Sequence, residues 1–164
     1  MKDSIDAHVE LWSRELPEMD LRVEGIATRL QALGRYLDRQ RDAVLARHGL
    51  QWWGFKTLHM LRRGGAPYQS TPGRLATQLG LSPAAMTNRL DAMERAGYVA
   101  RHHDRDDRRK VVATLTDAGL LIWQQAIGDI TQVEVDLVNQ LPAIDQDRLT
   151  ELLRTLLHST ENQM

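Results

Sequence analysis

Cysteine is absent from the 164-residue sequence, which excludes disulfides, thiolate metal sites, cysteine nucleophiles and thiol-based oxidant sensing. No apolar run approaches the ~18 residues a membrane span needs. Met1–Leu11 (MKDSIDAHVEL) lacks the apolar segment of a signal peptide, so a soluble chain in the cytoplasm is expected. Also missing are G-x-S-x-G, G-x-G-x-x-G, a P-loop and H-E-x-x-H, the compact signatures of hydrolases, dinucleotide enzymes, NTPases and zinc proteases. The reading is therefore not an enzyme and carries no cofactor. An apolar fraction of 42% is that of an ordered globular protein, and the length suits a single domain over 1–164.

Net charge is small, -1, but its distribution is uneven. Residues 62–110 hold 10 basic and 5 acidic side chains, net +5, whereas residues 111–164 hold 2 basic and 8 acidic, net -6. Of the 21 basic residues 18 are Arg, whose planar fork suits phosphates and guanine edges. A positive island of this kind is compatible with a polyanion partner, and on charge alone a solvated surface with chance fluctuation is the competing reading.

The periodicity is mainly helical. A short helix over Asp3–Arg14 ends before Leu16-Pro17. A long one over Leu21–His48 presents Ile26, Leu30, Leu33, Leu37 and Val44 as one apolar stripe and stops at Gly49. At 1.5 Å per residue it is about 40 Å long, more than one small domain covers, so its stripe asks for a partner. Helices then follow over Gln51–Arg63, Pro72–Leu79 and from Ser82-Pro83 to the stop at Gly97. The period changes to two at Tyr98–His102 and Arg109–Leu115, a hairpin with a charged turn. Asp117–Gln140 and the leucine-rich Asp145–Ser159 complete the series. The fold class is mainly α with a small β-hairpin. Residues 51–116 read as a winged helix-turn-helix, flanked by dimerisation helices in 1–50 and 117–164.

Thr71-Pro72 and Ser82-Pro83 each pair an N-cap with a proline suited to the first helical position. The two short helices meet at Gly80-Leu81-Ser82, with Leu75, Leu79, Met86 and Leu90 as a small core. In such units the second helix enters the major groove of double-stranded DNA, led by its first residues. Here those are Ser82, Ala84, Ala85, Thr87, Asn88 and Arg89: hydroxyls for phosphate or base, an amide for an adenine edge, alanines for thymine methyls. The hairpin makes the unit winged. Its tip carries Arg105, Arg108 and Arg109, suited to a narrow minor groove, and Asp107 lies two residues from Arg109 and can pair with it.

Leu81-Ser82-Pro83, Asn88-Arg89-Leu90, Met93-Glu94-Arg95-Ala96-Gly97-Tyr98-Val99, Asp104 to Val111 and Leu115-Thr116 together resemble the MarR family of transcription regulators. The resemblance implies a homodimer on a pseudo-palindromic operator, acting as a repressor released by a ligand. The family's Asp-x-Arg wing motif falls on Asp107 and Arg109, with Arg109 the minor-groove residue. Trp12 to Asp20 further resembles the subgroup with an extra first helix, which includes urate-responsive members. That resemblance implies an effector site at Trp12, Arg89 and Arg101. Where the subgroup has an Asp this sequence has Lys56, giving a cationic site with one aromatic wall, suited to a small organic anion or aromatic effector.

Two other readings stay open: a metal-responsive regulator, and a helical scaffold or small-molecule-binding protein without DNA. His102-His103-Asp104 invites a metal, but successive strand residues point to opposite faces, so no metal ligands are assigned.

Overall fold

The computed structural model describes residues 2–104, 107 and 109–161. Its elements are α1 (Ser4–Glu15), α2 (Leu21–Arg47), α3 (Trp52–Arg63), β1 (Gln69–Ser70), α4 (Pro72–Leu79), α5 (Pro83–Arg95), β2 (Val99–His103), β3 (Val111–Leu115), α6 (Asp117–Val138) and α7 (Ala143–Glu161). They group into two compact units, one up to Ala43 and one from Val44 onward.

In the first unit, Asp3 caps α1 by accepting the Ile5 and Asp6 amides, and Asp6 returns the bond to the Asp3 amide. Arg29 of α2 then grips both acids. Its Nε lies 2.8 Å from Asp3 Oδ2, and its Nη2 lies 2.8 Å from Asp6 Oδ1. A second tie joins His8 to Glu24 at 3.1 Å. α1 buries no residue, and these polar ties join it to α2. Arg29, ahead of its caps, holds the Asp3 carboxyl at about 2, against an ordinary 3.8. A depressed carboxyl contributes stability above its unfolded value and loses it as pH falls through the folded one. We therefore expect α1 to stay docked at pH 4 and to loosen toward pH 2. In Arg29→Ala, Asp3 should titrate upward toward 3.8, as followed by NMR of its carboxyl; an unchanged Asp3 would contradict the latch.

The second unit is built on α3, whose Phe55, Leu58 and Leu61 are buried against Leu75 of α4, Met86, Leu90 and Met93 of α5, and Ala126 and Ile130 of α6. Val44 and Leu45 at the end of α2 already belong to this core. The expected stripe from Ile26 to Val44 is thus divided: Val44 is buried, while Ile26, Leu30 and Leu33 are roughly half exposed. α7 starts at Ala143, directly after Pro142, and buries none of its leucines.

The hairpin is one strand larger than the sequence suggests. β1 adds to β3, giving an antiparallel sheet in the order β1-β3-β2, with Ser70 opposite Ala113 and Arg101 opposite Ala113 from the other side. Tyr68 turns the chain into β1 in a left-handed conformation (φ 58), unusual for a side chain of this size. The Arg62 guanidinium covers the Tyr68 ring at 4.5 Å, and the Tyr68 carbonyl accepts the Leu115 amide at 3.1 Å. A two-residue strand has no period to read, which is why it escapes the sequence. No described helix is long and apolar enough to cross a membrane.

Candidate nucleic-acid interface

Thr71 caps α4 through the Arg74 amide, and Ser82 caps α5 through the Ala85 amide, each followed by proline. Between them Gly80 takes a left-handed conformation (φ 63), and the Leu81 amide reaches back to Ala76 O at 2.8 Å. This is the helix-turn-helix expected from the sequence. α5 buries Met86, Leu90 and Met93 and leaves Ala84, Thr87 and Asn88 exposed. Positions i, i+3 and i+4 share one helical face, so these three form the outward surface. Ser82 is also exposed, while Ala85 and Arg89 are half-buried on the flank. The Thr87 hydroxyl donates to Pro83 O at 3.0 Å, which leaves its oxygen as an acceptor outward. Asn88 is exposed on the same face.

At the wing, Arg105 and Arg108 lie outside the described residues. Asp104 and Asp107 bond to described backbone on either side of the wing turn. Asp104 Oδ1 accepts the Asp107 amide at 3.0 Å, and the Asp104 amide donates to Lys110 O at 2.9 Å. The expected pairing of Asp107 with the Arg109 guanidinium is replaced by another arrangement. The Asp107 carboxylate accepts the Arg109 backbone amide at 3.1 Å and faces the Lys110 ammonium at 3.5 Å. The strand begins only at Val111, so the same-face rule for alternate strand residues does not reach position 109. Arg109 itself is exposed.

The four candidate effector residues have separate surroundings. Trp12 lies on α1 in the first unit, partly exposed, with the His8 ring edge-on at 6.2 Å. In the second unit, the Lys56 ammonium sits 5.2 Å over Trp52, and the Arg89 guanidinium 5.9 Å over Trp53. The adjacent tryptophans diverge, each receiving a different cation. Arg101 is bound by acids: its Nη2 lies 2.6 Å from Asp91 Oδ1 and 2.6 Å from Glu94 Oε2. From the sequence, pairing of Arg101 with a nearby acid is an open alternative; which acids is not legible, since a seven- or ten-residue separation across helix, turn and strand has no periodic signature. Among the described residues, no three His, Asp or Glu side chains gather where they could hold a metal.

A capped helix pair whose second helix bares its N-terminal face, followed by a β-wing, defines a winged helix-turn-helix. Comparison with known proteins gives its family. The MarR family profile matches residues 51–111. The HTH-type transcriptional regulator PecS of Dickeya dadantii is 30% identical over 156 residues, covering 94% of each chain. Among solved structures, YusO of Bacillus subtilis superposes with a TM-score of 0.76 at 20% identity, over 86% of this chain and 98% of that one. A mutant MarR of E. coli complexed with operator DNA gives 0.61 at 24% identity, over 90% and 98%. The chain belongs to the MarR family of transcriptional regulators, and its relatives of that family are not enzymes.

Proposed function

We propose that this protein is a ligand-responsive repressor that binds a pseudo-palindromic duplex as a homodimer and is released by a small organic anion. The observation that carries the DNA reading is the bare face of Ala84, Thr87 and Asn88, beside a wing bearing Arg109, within the chain's net-positive segment. Ser82, Ala84, Ala85, Thr87, Asn88 and Arg89 serve the major groove, and Arg109 with Arg105 and Arg108 the minor groove. Asp107 orders the tip by binding the backbone of Arg109 rather than its guanidinium. A regulator of this kind works in the cytoplasm with the DNA.

The dimer reading is supported by apolar faces that stay exposed on both units. Ile26, Leu30 and Leu33 of α2, and Leu152, Leu156 and Leu157 of α7, are 42% to 59% exposed. Solvated leucines at helical spacing are a surface for another helix. The effector reading is supported by Lys56 and Arg89. Each holds its charge over an indole, and neither has a carboxylate within ion-pair distance among the described residues. An anion would meet cations that need not first give up an acid. Trp12 remains a candidate on the first unit.

The reading is tested by mobility shift with promoter-sized duplexes at low and physiological salt, adding compounds that raise thermal stability in a screen of carboxylates, phenols and purines. Sequence-selective binding that survives physiological salt, and weakens with a hit, is expected. Binding that vanishes equally for all duplexes would contradict it. Arg109→Ala should weaken the selected duplex by about 1–3 kcal/mol, the range of one good base contact. Wild-type affinity in that variant would move the minor-groove role to another wing residue.

A further inference from the structure

We propose that Arg101 is a positioning strut that fixes the wing to the recognition helix and thereby sets the groove-to-groove geometry the protein selects. The inference rests on the DNA-binding reading above and deepens it. It starts from a single grip made twice over. On the side-chain level, Arg101 Nε lies 2.9 Å and Nη2 2.6 Å from Glu94 Oε2, and Nη2 also lies 2.6 Å from Asp91 Oδ1. On the main-chain level, the Arg101 amide donates to the other Glu94 oxygen, Oε1, at 3.0 Å. Glu94 therefore holds strand β2 by backbone and side chain at once.

The two acids stand one turn apart on α5, three residues from each other, so they share a face. Among the described residues, these are the polar side-chain bonds that join β2 to α5. The chain leaves α5 through Gly97 in a left-handed conformation (φ 76), a turn that by itself permits more than one exit direction. Arg101, four residues on, selects one. The side chain is about a quarter exposed, and the Arg101 guanidinium is what chiefly holds Glu94 below the usual carboxylate range.

The electrostatics make the role separable from a DNA contact. Asp91 and Glu94 sit on the helix offered to a polyanion, and alone they would repel it. An Arg committed to both leaves no donor fork for phosphate, unlike Lys56 and Arg89 over their indoles. The acids weaken attraction to any duplex, and the strut makes them favour one geometry. Removing Glu94 should then weaken specific binding without weakening non-specific binding.

The test uses the full chain carrying Glu94→Ala, with Glu94→Arg/Arg101→Glu as the charge exchange. Two readouts are taken: hydrogen exchange of the Arg101 amide without DNA, and affinities for a selected palindromic duplex and an unrelated one at matched salt. In Glu94→Ala we expect faster exchange at Arg101, unchanged or tighter binding of the unrelated duplex, and weaker binding of the selected one. The preference between duplexes should fall roughly tenfold, the scale of a charge-assisted hydrogen bond. The charge exchange should recover part of that preference. Equal tightening on both duplexes, or wild-type protection of the Arg101 amide, would overturn the strut. A wild-type protein with no preference among duplexes would overturn the DNA reading instead, while amide exchange still decides whether Arg101 ties β2 to α5.

Discussion

Gly119→Ala is expected to destabilise the protein by about 1–3 kcal/mol. A Cβ at that position would lie 2.0 Å from the Tyr98 carbonyl oxygen, 2.9 Å from its carbon and 3.2 Å from Leu115 Cδ2. The nearest atoms are backbone, so no rotamer change relieves the clash. The first turn of α6 must instead lift away from the sheet. That turn is tied down by Thr116, whose amide donates to Tyr98 O at 3.2 Å and whose hydroxyl donates to Gly97 O at 2.7 Å. The same hydroxyl oxygen caps α6 through the Gly119 amide at 3.0 Å. Overpacking typically costs about 1–3 kcal/mol, and loss of a cap about 1 more. The helix-propensity gain of alanine over glycine, about 1 kcal/mol, offsets part of this. Gly128 on the same helix is the control, since nothing lies within 4 Å of its Cβ position. Gly128→Ala should be neutral or stabilising by up to about 1 kcal/mol. Urea midpoints of the two variants measure the contrast; equal midpoints would contradict the close approach of α6 to Tyr98.

Placing aspartates at Leu152 and Leu156 is expected to leave a folded monomer with operator affinity lowered by about 10²–10⁴-fold, the gain that linking two binding sites supplies. The two leucines are 57% and 49% exposed and lie one turn apart on α7. Neither contributes to a core, so helix and fold should survive the change. A second copy packed on that face would lose two apolar anchors and bury two charges instead, which is costly. Sedimentation with circular dichroism separates the outcomes. A dimer that persists, still gripping its duplex as wild type does, would place the interface elsewhere.

The order of elements was readable because the chain marks its own helix ends. Thr71-Pro72, Ser82-Pro83 and Thr116 start helices, while Gly80 and Gly97 provide left-handed stops, and each acts locally. The leading residues of α5 are readable from their place after the Ser82-Pro83 start, but their division into exposed Ala84, Thr87 and Asn88 and half-buried Ala85 and Arg89 comes from the packing. What escaped depends on contacts between elements. β1 exists because Tyr68 turns under Arg62 and hands its carbonyl to β3, none of which has a period. Asp107 and Arg109 read as same-face neighbours near a strand start, but the strand begins at Val111 and the Asp107 carboxylate accepts the Arg109 backbone amide. The bonds of Arg101 to Asp91 and Glu94 form only where β2 folds back along α5, so no local spacing announces them. The sequence places dimerisation helices in 1–50 and 117–164 of a single domain; that Val44 and Leu45, at the end of α2, join the core of α3 has no signature in the periodicity.

Two copies that present α5 and the wing to successive turns of one duplex should select, from a randomised duplex library at physiological salt, an inverted repeat whose half-sites lie about 10 base pairs apart, centre to centre. This enrichment should be lost when Leu152 and Leu156 are both aspartate. Recovery of no consensus, or of a single asymmetric site bound equally well by that variant, would contradict it.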